Sequence, residues 1–144
     1  MIIRQFQHND LDAALYLVNE YAFFDGPTEA KDFRVTKSFP EGFLVAEVDG
    51  RVAGLIYGYF KDIPEAVLSN WNVSKVATIE LLVVNPDYGN QGIGTKLLEK
   101  LIEVFRMVGV DLILLTCPVQ AESAKYLYEK IGFRTNAYHM RMKI

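Results

Sequence analysis

Cysteine and histidine are nearly absent. Cys117 is the sole cysteine in 144 residues, so no disulfide can close within the chain and nothing asks for an oxidising compartment. His8 and His139 are isolated and lack the spacing of metal ligands, so no metal site is expected. An excess of positive charge is also lacking. Fifteen Lys and Arg against 18 Asp and Glu leave a net charge of −3, which gives no pull toward nucleic acid or a membrane surface. No apolar run nears the ~20 residues that span a bilayer, and the opening Met1-Ile2-Ile3-Arg4-Gln5-Phe6 has no signal-peptide core. A cytoplasmic location is the expectation. Repeats, linkers and low-complexity tracts are missing too. What the chain does have is a hydrophobic fraction of 51%, enough to bury one sizeable core, and a single domain over residues 1–144 is expected.

Residues 2–6 alternate like a strand. Asn9 and Asp10 then offer N-cap side chains to a helix carrying Leu11, Ala14, Leu15, Val18 and Ala22 at 3–4 spacing and ending near Phe24. After the turn Asp25-Gly26-Pro27, Pro27 can open a short second helix to about Lys37. Residues 42–48 and 52–60 are rich in β-branched and aromatic side chains, and Asp49-Gly50 between them is a strong hairpin signal. A loop over 63–74 leads to a third long strand, 75–84, stopped by Asn85-Pro86-Asp87. From Gly92 onward Ile93, Leu97, Leu98, Leu101, Ile102, Phe105 and Val108 recur at helical spacing, with Gly109 where a helix stop is expected. Residues 110–116 read as an apolar strand of the kind buried in a parallel arrangement, ended by Pro118. A helix over 121–130, a break at Gly132 and an alternating last strand over 133–143 complete the order. The fold class expected is an α/β sandwich, a mixed and mostly antiparallel sheet with helices on both faces.

Residues 83–95 place a strand end, a turn, a glycine loop and a helix start in immediate succession: Val83-Val84-Asn85-Pro86-Asp87-Tyr88-Gly89-Asn90-Gln91-Gly92-Ile93-Gly94-Thr95. Unpaired N–H groups in a first helical turn and the helix dipole can hold a phosphate there without lysine. Glycine at 92 and 94 lets the backbone approach the ligand. A turn needed only for helix formation is the plainer alternative. A Walker loop is excluded, because Gly94 is followed by Thr95 and Lys96 in the wrong order. The dinucleotide fingerprint is excluded as well, since the glycines run G-x-x-G-x-G, the reverse of G-x-G-x-x-G.

This segment resembles the acyl-CoA loop of the GNAT acetyltransferases, V-x-P followed by [RQ]-x-x-G-x-[GA]. Val84-Asn85-Pro86 and Gly92-Ile93-Gly94 fit, while Gly89 stands where the family usually has arginine or glutamine. A second landmark is similar: Ala124-Lys125-Tyr126-Leu127-Tyr128-Glu129-Lys130-Ile131-Gly132-Phe133 follows the family's A-x-x-L-Y-E-K-L-G-F, although Ala121 replaces a common cofactor-touching asparagine. The resemblance implies an N-acetyltransferase that moves an acetyl group from acetyl-CoA to a primary amine by direct transfer. It assigns donor binding to Gly89, Asn90, Gln91, Gly92, Ile93, Gly94 and Thr95, and to backbone N–H groups of Leu82, Val83 and Val84, which would pair with the pantetheine arm and polarise the carbonyl.

Such a transfer needs a neutral amine and a proton for the leaving thiolate. Tyr128, at the family's L-Y position, is the candidate acid, with a core aromatic as its alternative. Glu80 interrupts the apolar run Ile79-Glu80-Leu81-Leu82. A cleft position, with a pKa raised by apolar neighbours, would suit a general base, whereas a strand carboxylate facing solvent or a lysine would be merely structural. Nothing near Cys117 supplies the base or positive charge of a nucleophilic cysteine, and it reads as structural. In the family the acceptor meets the first helices and the loop between the third and fourth strands, here Tyr21, Phe23, Phe24 and residues 63–71. Relatives that acetylate protein N-termini tend to carry glutamate where this chain has Thr116, so a small-molecule amine is preferred over a peptide N-terminus or lysine. A CoA-binding sensor without transfer is the alternative from another class. A homodimer is compatible with the sequence.

Overall fold

The computed structural model describes the backbone of residues 1–144 and every side chain except those of Arg34, Val35 and Thr36. In chain order the elements are β1 (Ile2–Gln5), α1 (Leu11–Tyr21), β2 (Phe43–Val48), β3 (Arg51–Lys61), α2 (Glu65–Trp71), β4 (Val76–Val84), α3 (Ile93–Met107), β5 (Leu112–Leu115) and α4 (Glu122–Ile131). The strands form one sheet in the order β1-β2-β3-β4-β5, antiparallel except for the parallel pair β4 and β5. Both residues of the β2–β3 turn have positive φ, 50° at Asp49 and 78° at Gly50, which twists the hairpin in the sense its strands require.

Helices cover both faces, so the central strands are apolar on both. On one face Ala14, Leu17 and Val18 of α1 pack with Val45, Leu55, Tyr57, Leu81 and Val83. On the other, Leu97, Leu98, Leu101 and Phe105 of α3 pack with Leu44, Ala46, Ile56, Ala77 and Ile79. Phe105 is wholly buried and lies over Gly58, where an added Cβ would sit 2.4 Å from the Thr78 carbonyl and 2.9 Å from the Phe105 ring. The glycine is what lets helix and sheet approach so closely.

Several expectations are corrected. Asp10 does not cap α1; its carboxylate accepts the Gln7 N–H at 2.8 Å and two guanidinium nitrogens of Arg4 at 2.8 and 2.9 Å, stronger partners than a helix turn offers. Residues expected as a helix after Pro27 form a 3₁₀ segment, Ala30–Ser38. Within the expected loop over 63–74, α2 starts after Pro64 and stops at Asn72 in the left-handed region. β5 pairs in parallel as its composition suggested, but its four residues are half-buried, and among the described residues no strand pairs with its outer side. The expected last strand does not form: among the described residues, 133–144 pair with no strand. Alternation specifies a strand's faces, and a ladder also needs a neighbour. No helix among the described residues is long and apolar enough to cross a membrane.

Candidate active site

The site begins with one surplus residue. Along the β3–β4 ladder Tyr57 faces Leu81 and Gly58 faces Ile79, so Glu80 has no opposite number and forms a β-bulge. Beyond that point β4 and β5 part. Their parallel pairing runs from Val76 with Leu112 to Ile79 with Leu115 and goes no further. From Leu81 to Val84 the strand therefore has β3 on one side and, among the described residues, no strand on the other. Its backbone polar groups on that open side are available to a ligand.

The gap between the strands is part of a cavity of about 1190 Å³. Leu82, Val83 and Val84 line it, as do Glu80 of β4 and Tyr128 of α4. Glu80 is exposed rather than enclosed among apolar neighbours, and its Oε2 accepts a hydrogen bond from the Tyr59 hydroxyl at 3.2 Å. Burial and the nearby Glu80 charge raise the pKa of Tyr59. Tyr59 was not singled out from the sequence, because what brings it to Glu80 is the register of the β3–β4 ladder.

Tyr128 is 8% exposed and stacks edge-on against Phe133 at 5.8 Å. Burial, then the neighbouring Cys117, pushes its hydroxyl up to about 12, so the phenol stays protonated at neutral pH. Among the described residues no hydrogen bond engages that hydroxyl, yet no buried side-chain polar atom is without a partner. The oxygen thus opens onto the cavity that the residue lines. Cys117 is half-buried, with its Sγ 3.7 Å from the Ala121 carbonyl. Burial raises its pKa, an effect that Lys125 only partly opposes, so it is held as a thiol.

A second cavity, about 370 Å³, lies over the glycine loop and is bordered by all of Gly89, Asn90, Gln91, Gly92, Ile93, Gly94 and Thr95. Val84 borders both cavities, which makes them neighbours along one path. Gly92 takes φ 72°, a conformation that favours glycine. The first helical N–H to find a backbone carbonyl is that of Lys96, bonded to Gly92 at 3.0 Å, so the amides of residues 93–95 face outward unpaired. Lys130 and Ser123 of α4 also border this cavity, a cation and a hydroxyl beside an anion-binding helix terminus. Neither was singled out from the sequence. At Gly94 an added Cβ would meet Leu127 at 3.2 Å. An unpaired helix terminus, a cation and space free of side chains together fit a pyrophosphate.

The exposed aromatics Phe23, Phe24 and Trp71, 53%, 44% and 43% exposed, stand on the rim of the larger cavity with Tyr21. Trp71 arrives there on α2. Thr116 lines the same space. Among the described residues no cluster of His, Cys, Asp and Glu could hold a metal ion.

Comparison with known proteins agrees with this geometry. Two uncharacterised N-acetyltransferases of Methanocaldococcus jannaschii are similar to the chain. One is 34% identical over 97 residues, 65% of this chain and 39% of its own length. The other is 31% identical over 135 residues, 93% of this chain and 78% of its own. The fold is that of Ard1 from Thermoplasma volcanium, with a TM-score of 0.80, 23% identity, and 94% of this chain and 84% of that one covered. The family model described as acetyltransferase (GNAT) family matches residues 7–133, and the chain belongs to that family of acyl-CoA-dependent N-acetyltransferases.

Proposed function

We propose that the protein transfers the acetyl group of acetyl-CoA directly to the primary amine of a small molecule, with Glu80 as general base and Tyr128 as general acid. The observation that carries this reading is the parting of β4 and β5 at the bulge, which leaves an ionisable carboxylate and an unbonded phenol on one cavity. Outward amides of residues 93–95, with Lys130 beside them, would hold the pyrophosphate. The open side of Leu82, Val83 and Val84 would take the pantetheine arm as an added strand and polarise the carbonyl. When bound, the thioester supplies an activated acetyl group. Glu80, held by Tyr59, would take the proton of the incoming ammonium, directly or through water. Tyr128 would return a proton to the departing sulfur, a role that requires the phenol to be protonated beforehand, as its raised pKa keeps it.

The rim supports the choice of acceptor. Three large exposed rings beside a carboxylate suit a compact ammonium bearing an apolar group, through ring contact and charge. The test is incubation with acetyl-CoA and a panel of amines and peptides, with free thiol as the readout. Compact aromatic and aliphatic amines should release thiol fastest. Faster release with peptides would overturn the acceptor assignment, and no release with any acceptor would favour a CoA-binding sensor.

A further inference from the structure

A cation stands on the large cavity that the transfer chemistry leaves unused. Among the described residues three charged side chains line that cavity: Glu80 and Glu122 are acids, and Lys61 is the cation. Lys61 is the last residue of β3. Along the strand Leu55, Tyr57 and Tyr59 pack on the α1 side, whereas Ile56 and Phe60 pack on the α3 side. The alternation carries Lys61 to the face of Tyr57 and Tyr59. Phe23 and Phe24, which follow α1, and Trp71 of α2 border the same cavity.

Neither charge is neutralised within the chain. Lys61 and Glu80 are both exposed, and no ion pair among the described residues includes either one. Glu80 accepts from the Tyr59 hydroxyl, a neutral donor that fixes the carboxylate and leaves its charge in place. Tyr59 and Lys61 are two residues apart on one face, so their Cα atoms are about 7 Å apart along the strand. An anion and a cation thus stand on one wall, with a flexible four-carbon stem under the cation. Two charge-assisted hydrogen bonds of about 2.8 Å each can then be made to one short molecule above the strand, provided its own ammonium and carboxylate lie close together.

We infer, building on the proposed transfer to a small amine, that the acceptor is an α-amino acid with a large apolar side chain and that Lys61 selects it by pairing with its carboxylate. Glu80 faces the ammonium, and the rim rings take the side chain. A plain amine leaves Lys61 without a partner. A peptide N-terminus carries an amide at that position and offers Lys61 no charge, so the lysine separates the free amino acid from both. The transfer step is unaltered: the acetyl C–N bond forms as the C–S bond breaks, Glu80 takes a proton from the nitrogen, and Tyr128 gives one to the sulfur. Lys61 touches none of the reacting atoms and acts on which molecule binds.

The test uses three matched acceptors, phenylalanine, phenylalaninamide and phenethylamine, on the full chain and on Lys61→Met. Binding is read by calorimetry on protein saturated with CoA, and transfer by thiol release from acetyl-CoA. The parent should bind phenylalanine ~10-fold more tightly than the amide or the amine, the worth of one hydrogen bond between charged groups. Lys61→Met keeps an apolar stem, so acetyl-CoA affinity should match the parent while KM for phenylalanine rises ~10-fold at unchanged kcat and KM for phenethylamine stays put. Equal binding of the three acceptors by the parent overturns the inference, and so does tighter binding of the amide. A Lys61→Met variant that weakens all three alike overturns it as well, since the lysine then reads no carboxylate. Preferential binding of phenylalanine without thiol release upholds the role of Lys61 and refutes the proposed transfer instead.

Discussion

Replacing Tyr128 with phenylalanine removes one oxygen, and the structure fixes what that oxygen does for stability. The ring is buried against Phe133 and stays in the variant. Among the described residues the hydroxyl makes no hydrogen bond, and it opens on the cavity. Its loss should therefore cost less at neutral pH than the 0.5–1.5 kcal/mol of a typical bonded hydroxyl. Alkaline stability provides a second reading. Burial favours the neutral phenol and lifts its pKa from 10 to about 12, so the contribution is fully present below pH 10 and lost as pH rises through 12. Two units correspond to about 2.7 kcal/mol. Between pH 10 and 12 themselves the wild type should lose about 1.9 kcal/mol more stability than Tyr128→Phe, the other tyrosines cancelling in the comparison. If Tyr128 protonates the thiolate, single-turnover transfer should fall ~100-fold while acetyl-CoA affinity holds. Transfer at the parent rate by a variant with a normal melting temperature refutes the acid role.

Gly94→Glu should weaken acetyl-CoA binding strongly by calorimetry, because a carboxylate enters the cavity over the loop; its Cβ meets the flexible Leu127 side chain at 3.2 Å and the Val84 side chain at 3.8 Å, so the fold should survive. Glu80→Gln should lower kcat while leaving acetyl-CoA affinity unchanged, and Tyr59→Phe, which removes the hydrogen bond to Oε2 of Glu80, should lower kcat less; parent kcat in both variants excludes Glu80 as base. Gly58→Ala should destabilise by about 1–3 kcal/mol in denaturant melts, since its Cβ would lie 2.4 Å from the Thr78 carbonyl. A neutral result there would mean that α3 can shift on the sheet.

What could be read from the sequence is what local chemistry decides. Asp49-Gly50 marks its hairpin because few residues accept two successive positive φ values, and the α3 stripe is visible because burial repeats every turn. Placing the loop at residues 89–95 required only the glycines and the helix behind them. The bulge at Glu80 has no such signature. An extra residue in a ladder depends on which residues of β3 lie opposite, and β4 alone does not contain that register. The same limit hid Tyr59, whose link to Glu80 spans 21 residues. For residues 133–143 the alternation was legible, but alternation does not supply a neighbouring strand, and among the described residues none pairs there.

The bulge has a bearing on the economy of the fold. Ala77 and Ile79 turn toward α3, and so do Leu82 and Val84, while Leu81 and Val83 turn toward α1. Strike out Glu80 and the sides alternate without a fault, with Ile79 and Leu81 already opposite the consecutive Gly58 and Tyr57. A strand one residue shorter would thus serve both cores with every contact in its present direction. Packing does not ask for Glu80, and a regular ladder would be the simpler solution. The residue is an addition that the architecture tolerates, set at the point where the sheet divides.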